Sequence, residues 1–218
     1  NYNIYLTKKH DSSFNKKILA LKDYEKRIKF LDFNLLDFKN HQKFYNSLNP
    51  KPKIVVCAAG FFHDNTNLIE NFTEVKKTID TNYTAYVSLL NIISKDFKKR
   101  NKGCIIGISS VAGDRGRASN YIYGSSKSAF SAYLSGLRNK MYPYNVNVIT
   151  IKPGFIESKM TKNLNFNKLL TSTPDVVAKD VFIAWKKKKC ILYTPWYWKY
   201  ILIVIRLIPE KIFQKLNL

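Results

Sequence analysis

Tyr123 and Lys127 stand four residues apart in Tyr-Gly-Ser-Ser-Lys, and Ser110 lies thirteen residues before the tyrosine in Gly-Ile-Ser-Ser-Val-Ala-Gly. Residues four apart share one face of a helix. An ammonium beside a phenol favours the phenolate and pulls a tyrosine down from its ordinary pKa of about 10. A tyrosine tuned in this way can exchange a proton with a carbonyl or alcohol oxygen. A serine hydroxyl within reach can hydrogen-bond to the same oxygen. The same spacing also occurs on ordinary solvated helices, so its meaning depends on what surrounds it.

The elements that must hold these groups are legible as alternating patterns. Ile4 to Leu6, Ile28 to Leu31, Ile54 to Val56, Cys104 to Ser109, Val146 to Ile151 and Cys190 to Tyr193 read as short apolar strands. Between them, Val75, Ile79, Tyr86, Leu90 and Ile93 recur at helical spacing, and Tyr123 to Met141 carries Phe130, Leu134 and Leu137 on one stripe. Thr173-Pro174-Asp175 opens a further helix, with a side-chain oxygen to cap, proline at the first position and an acid in the first turn. Apolar strands alternating with helices predict a parallel sheet covered on both faces. Ser110 then sits at the carboxyl end of its strand, where ligands of open parallel sheets collect.

Set in order, these motifs resemble the short-chain dehydrogenase/reductase family over nearly the whole chain. Cys57-Ala58-Ala59-Gly60 matches the family's Asn-Asn-Ala-Gly strand end without its two asparagines. Asn82 in Asp-Thr-Asn-Tyr matches the helix asparagine, and Ser110, Tyr123 and Lys127 match the serine, tyrosine and lysine. Lys152-Pro153-Gly154-Phe155-Ile156-Glu157-Ser158 matches the later Pro-Gly turn. The resemblance implies a doubly wound, Rossmann-like α/β sheet. It also implies hydride transfer between NADP(H) and a ketone or secondary alcohol. Tyr123 would carry the proton, and Ser110 would orient the oxygen. Lys127 would lower the tyrosine pKa and hold the nicotinamide ribose, while Asn82 would hold a relay water. Cofactor contacts would fall on Lys8, Lys9, Asp32, Phe33, Ala59, Gly60, Pro153, Gly154 and Ile156 as well as Tyr123 and Lys127. Lys9 aligns with the family's basic residue that receives the extra phosphate, which favours NADP over NAD. Glu157 to Ser172 would form a lid over the substrate.

One departure is large: every glycine lies at or after Gly60. The Gly-rich turn that lets backbone approach a pyrophosphate is therefore not in this sequence. Asn1 to Thr7 looks like the family's second strand, so the expected sheet lacks the first strand and helix and has two unpaired inner edges. A fragment of a longer enzyme fits this, and so does a degenerate relative. The intact Asn82, Ser110, Tyr123 and Lys127 favour the fragment.

Composition sets the outer bounds. A chain of 218 residues, 45% hydrophobic, suits one domain with a sizeable core and not a disordered segment. Cys57, Cys104 and Cys190 form no Cys-x-x-Cys pair and read as free thiols of a reducing cytoplasm. His10, His41 and His63 are too scattered for a metal centre. The net charge of +22 comes without a nucleic-acid recognition motif. It reads as compositional bias or as attraction to an anionic membrane or substrate. Asp114, Arg115 and Arg117 are expected to be solvated loop charges, with contact to an anionic substrate as the alternative. Gly124 and Ser125 are expected to leave room beside Tyr123 for a ligand.

A catalytic domain over 1–193 is followed by a tail over 194–218. In the tail, Trp196, Tyr197, Trp198 and Tyr200 accompany Lys199, and an apolar run reaches Ile208. It is too short and interrupted to span a bilayer. Aromatic residues beside lysine suit a membrane interface, and a core or homo-oligomer contact is the other reading. The tail resembles those of reductases acting on polyprenyl-phosphate keto-sugars, such as the decaprenylphosphoryl-2-keto-erythro-pentose reductases. That implies a small or lipid-linked carbonyl substrate and a cytoplasmic protein at the inner membrane face. The alternatives are a non-catalytic nucleotide-binding relative and a membrane-surface scaffold.

Overall fold

Continuous runs of β-branched residues give strands that can be buried on both faces, and the longest of them form the centre of the molecule. A computed structural model describes residues 2–8, 26–62, 71–157 and 170–216. Strands β1 (Ile4–Lys8) and β2 (Ile28–Asp32) make a parallel ribbon, with Ile4 opposite Ile28 and Lys8 opposite Asp32. Strands β3 (Ile54–Cys57), β4 (Gly103–Ile108), β5 (Val146–Pro153) and β8 (Ile191–Thr194) form a parallel sheet in the order β3-β4-β5-β8. Two short strands, β6 (Phe155–Ile156) and β7 (Thr171–Ser172), pair beside it.

Helices cover both faces of the sheet, as the alternation of patterns predicts. They are α1 (His41–Ser47), α2 (Phe72–Ile79), α3 (Ala85–Arg100), α4 (Tyr121–Met141), α5 (Pro174–Lys186), α6 (Trp198–Leu207) and α7 (Glu210–Phe213). Successive strand residues point to opposite faces. Ile105 and Val148 accordingly join Phe97, Phe130 and Leu134 under α3 and α4, while Ile106 and Ile149 meet Val181 and Trp185 of α5. Side chains of this kind contribute about 1.5–3 kcal/mol each when fully buried. Gly107 allows α4 to lie close, since a Cβ there would stand 2.3 Å from Leu134 Cδ1. In α5, Thr173 takes the N-cap position and Pro174 the first turn, but the threonine side chain makes no cap hydrogen bond.

Among the described residues β1 pairs only with β2, and β3 only with β4. The inner edges that the sequence leads one to expect unpaired are therefore open. Apolar side chains on them are uncovered, with Ile4 47% and Val56 53% exposed. The ribbon still shares the main core, because Tyr5 and Leu31 pack against the cluster that contains Cys57 and Leu90. The tail shares a core too: Trp198 and Leu202 are buried with Val111, Phe155 and Tyr193.

Candidate active site

Strand β4 ends at Ile108, and the next two serines have different partners. Ser109 Oγ donates to Lys127 O at 2.9 Å and lies 2.8 Å from Ser131 Oγ, stitching the strand end to α4. Ser110 Oγ accepts from Ala112 N at 3.1 Å and starts a 3₁₀ turn over Val111–Gly113. Two glycines let that turn sit against the helix. A Cβ on Gly113 would stand 2.7 Å from the backbone of Lys127 and Ser128, and one on Gly124 would stand 2.9 Å from Ala112 O. The space beside Gly124 is therefore filled by backbone and not by the ligand that the sequence suggests.

Tyr123 and Lys127 face this turn from the first coils of α4. The ammonium lies 5.7 Å from the centre of the Tyr123 ring and donates to Ile108 O at 3.1 Å. It is 3% exposed, and burial pulls its pKa down to about 8, opposed by the nearby Cys57 sulfur. Burial pushes the Cys57 thiol up to about 12 in turn. Tyr123 departs from expectation. Burial pushes its phenol up to about 12, and a hydrogen bond from the Ser110 side chain only partly offsets this. Desolvation outweighs the Ser110 hydrogen bond, so the phenol is neutral, which is the form that gives a proton away. Phe62 packs edge-on against the ring with centroids 5.2 Å apart.

Asn82 occupies a π turn over Asp80–Thr84 that interrupts the helix between α2 and α3, a feature frequent at functional sites. Its amide is fully buried. Oδ1 accepts from Phe61 N at 2.8 Å, and Nδ2 donates to Phe61 O at 2.8 Å and to Ser126 Oγ at 3.1 Å. Ser126 Oγ itself donates to Tyr123 O at 2.7 Å. Both amide protons are thus committed to protein, and the side chain ties the segment after β3 to α4. The continuous helical spacing in the sequence gives no sign of the π turn.

The expected cofactor positions among the described residues fall mostly at or just after the ends of strands. Lys8 ends β1 and Asp32 ends β2, directly opposite in register. Phe33 stacks on Phe44 at 4.1 Å. Ala59 and Gly60 follow β3, with Ala59 exposed. Pro153 ends β5, Gly154 follows it, and Ile156 lies in β6. Lys9, Ser158 and most of the expected lid lie outside the described residues. This constellation fits a nicotinamide dinucleotide on one clear count. Among the described residues Lys127 has one hydrogen-bond acceptor, Ile108 O at 3.1 Å, which leaves ammonium donors for a ribose diol.

Three features of the site are not foreseen by the sequence. Asp114 is not solvated: its carboxylate is ion-paired with Lys152 and accepts from Tyr193 OH at 2.6 Å, which locks the Ser110 loop to β5 and β8. Arg115 is also engaged. It donates to Ile205 O, to Ile208 O at 2.7 Å and to Glu210 Oε2 at 2.9 Å, and stacks 3.7 Å over Phe213. A Cβ on Gly154 would stand 1.8 Å from Trp198 Nε1, so α6 bears directly on the Pro-Gly turn. A cavity of about 320 Å³ lies between the loop and the tail, lined by Arg117, Tyr121, Phe213 and Leu216. The signal for the first two contacts is a run of small and charged residues after Ser110, which spacing alone does not resolve.

Comparison with known proteins places this geometry. The family model described as short chain dehydrogenase matches residues 1–169. An uncharacterized oxidoreductase of Mycobacterium tuberculosis is 29% identical over 161 residues, covering 74% of this chain and 64% of the relative, so the match spans less than two thirds of that protein. A 3-oxoacyl-[acyl-carrier-protein] reductase of Vibrio cholerae is 31% identical over 112 residues, 51% of this chain and 46% of the relative. Among solved structures, a short-chain dehydrogenase of Burkholderia cenocepacia in complex with NADP superposes with a TM-score of 0.82 at 16% identity, covering 99% of this chain and 86% of that one. A short-chain dehydrogenase of Sphingobium yanoikuyae in complex with NADPH gives 0.80 at 15% identity, with 98% and 86% covered. The chain, with its parallel sheet and its Ser110, Tyr123 and Lys127 gathered at one strand end, belongs to the short chain dehydrogenase family.

Proposed function

We propose that the protein reduces a ketone, or oxidises the matching secondary alcohol, with NADP(H). The observation that carries this is the meeting of Ser110, Tyr123 and Lys127 at the carboxyl end of β4, with a neutral phenol and a buried amine that has one hydrogen-bond acceptor among the described residues. The dinucleotide, when bound, supplies or accepts the hydride. Tyr123 gives its phenolic proton to the carbonyl oxygen. Ser110 donates to the same oxygen and fixes where it sits. Lys127 holds the ribose hydroxyls and supplies the positive charge that stabilises the tyrosine's anion once the proton has left. Asn82 is a positioning residue: its amide fixes Phe61, and through it the neighbouring Phe62 against the tyrosine ring.

Preference for NADP rests on Lys8, the last residue of β1, and on Lys9 next to it in the sequence, as cations that would receive the extra phosphate. NADP and NADPH in the two similar structures accord with it. A lipid-linked carbonyl is the favoured substrate class, because the cavity beside the Ser110 loop is walled by the apolar tail residues Phe213 and Leu216. The test is nicotinamide oxidation by the protein against a panel of ketones, with Tyr123→Phe beside it. The variant should lose about 10²–10⁴-fold in turnover while NADPH still binds. Undiminished turnover would overturn the assignment of the proton donor.

A further inference from the structure

Helix α6 has two apolar faces where a helix lying on a globular body needs only one. Trp198 and Leu202 take one face inward, at 3% and 5% exposure. Tyr200, Ile203, Val204 and Leu207 form a second stripe at i, i+3, i+4 and i+7, 46–76% exposed, and Trp196 just before it is 72% exposed. Ile212 and Leu216 extend the stripe beyond Pro209. Cations flank it: Lys199 and Arg206 share the side next to the stripe, and Lys211 and Lys215 follow, all exposed. The tail's acid, Glu210, is already paired with Arg115. No helix among the described residues is long and apolar enough to cross a membrane.

We propose that this face docks the protein on an anionic lipid bilayer, with α6 lying in the interface plane. Charge decides between the two surfaces that could cover such a stripe. A second copy would bring the same four cations, on a chain of net charge +22, against each other, and the acid of the tail, Glu210, is already paired. An anionic leaflet attracts them, and each basic group near such a surface strengthens binding about fivefold. Tryptophan and tyrosine beside lysine are the side chains that settle at headgroup depth. The orientation has a consequence for the site. The inward face of the same helix carries Trp198, whose indole abuts Gly154. A helix is about 10 Å thick, so the bilayer surface would lie about that far from the turn beside the reactive groups. That is within reach of a carbonyl carried on a lipid headgroup. The docking surface itself does not depend on the reductase reading.

Flotation of the full chain separates the possibilities without any activity assay. The chain should float with phosphatidylcholine vesicles that contain phosphatidylglycerol, far less with phosphatidylcholine alone, and progressively less as salt rises. Ile203→Ser/Val204→Ser/Leu207→Ser should lower the partition at least tenfold with its unfolding temperature unchanged, since these side chains face solvent. Lys199→Gln/Arg206→Gln should lower it about fivefold per cation. Equal flotation of the serine variant would overturn the proposal, because bulk positive charge would then explain the binding. So would a wild-type chain that ignores vesicles and sediments as a dimer that the serine variant abolishes.

Discussion

Lys127 carries opposite demands at the level of a single side chain. Burial holds its pKa near 8 against an ordinary 10.5, so at neutral pH the folded protein keeps a charge in a place that disfavours it. In the unfolded chain the amine binds its proton up to about 10.5. The unfolded state therefore holds more protons between pH 8 and 10.5, and this group's penalty is full below pH 8 and fades as pH rises through that window. Lys127→Met removes the penalty, and the variant should be more stable than the parent at pH 7, by at most on the order of 3 kcal/mol. The advantage should shrink toward zero by pH 10.5, measured as the difference between paired denaturant curves. The same ammonium is what would bind the ribose. Affinity of the parent for NADPH should therefore fall as pH rises through about 8, while the methionine variant binds weakly at every pH. A methionine variant that is less stable at neutral pH, or a flat affinity profile in the parent, would contradict this account.

Between elements, the distance that matters is the one from the Ser110 turn to α4, and two glycines set it. Gly113→Ala would drive a methyl into the Lys127 backbone, 2.7 Å away, and neither side is a flexible side chain that could swing clear. The turn must lift, carrying Ser110 away from Tyr123. Turnover should fall about a hundredfold for a displacement near 1 Å, with a stability loss of about 1–3 kcal/mol. Gly116→Ala in the same loop meets nothing within 4 Å and should leave stability unchanged. Steady-state kinetics with paired melting curves distinguish the two. This is also the scale at which the sequence is least informative. Strands β3 to β5 and helix α4 are legible because apolar period and length fix them. The Tyr123–Lys127 pair is legible because four residues make one helical turn. The π turn that carries Asn82, the burial of Asp114 against Lys152, and the closing of the Gly124 face by Ala112 all arise from contacts between distant segments. No local pattern of residue types encodes these. The tyrosine's ionisation goes the same way: proximity to a lysine is visible in the sequence, but the burial that raises the phenol's pKa is set by the fold.

At the scale of the whole molecule, Arg115 ties the Ser110 loop to the tail by polar contacts, beside the packing of Val111 on Trp198 and Leu202. Arg115, five residues after Ser110, caps the end of α6 through the carbonyls of Ile205 and Ile208, pairs with Glu210 and stacks on Phe213. Its side chain is 13% exposed, so these contacts form where water competes weakly. Hydrogen bonds to a charged group contribute about 1.5–3 kcal/mol each before the cost of ordering the tail is set against them. The tail packs further through Trp198 on Gly154, which places its seating next to the proposed nicotinamide turn. Arg115→Gln keeps the loop's length and a polar side chain but loses the charge, the second donor arm and the ring contact. Helices α6 and α7 should then open locally while the β4–β5 core stays closed. Amide exchange over residues 198–213 should speed up by at least tenfold, with residues 104–108 and 146–151 unchanged. Turnover should fall with the loosened Gly154 turn, and vesicle binding should persist, because the stripe and its cations are still on the chain. Equal exchange rates in the two proteins would show that the tail is held by Trp198 and Leu202 alone, and that the loop and the tail are neighbours without being coupled.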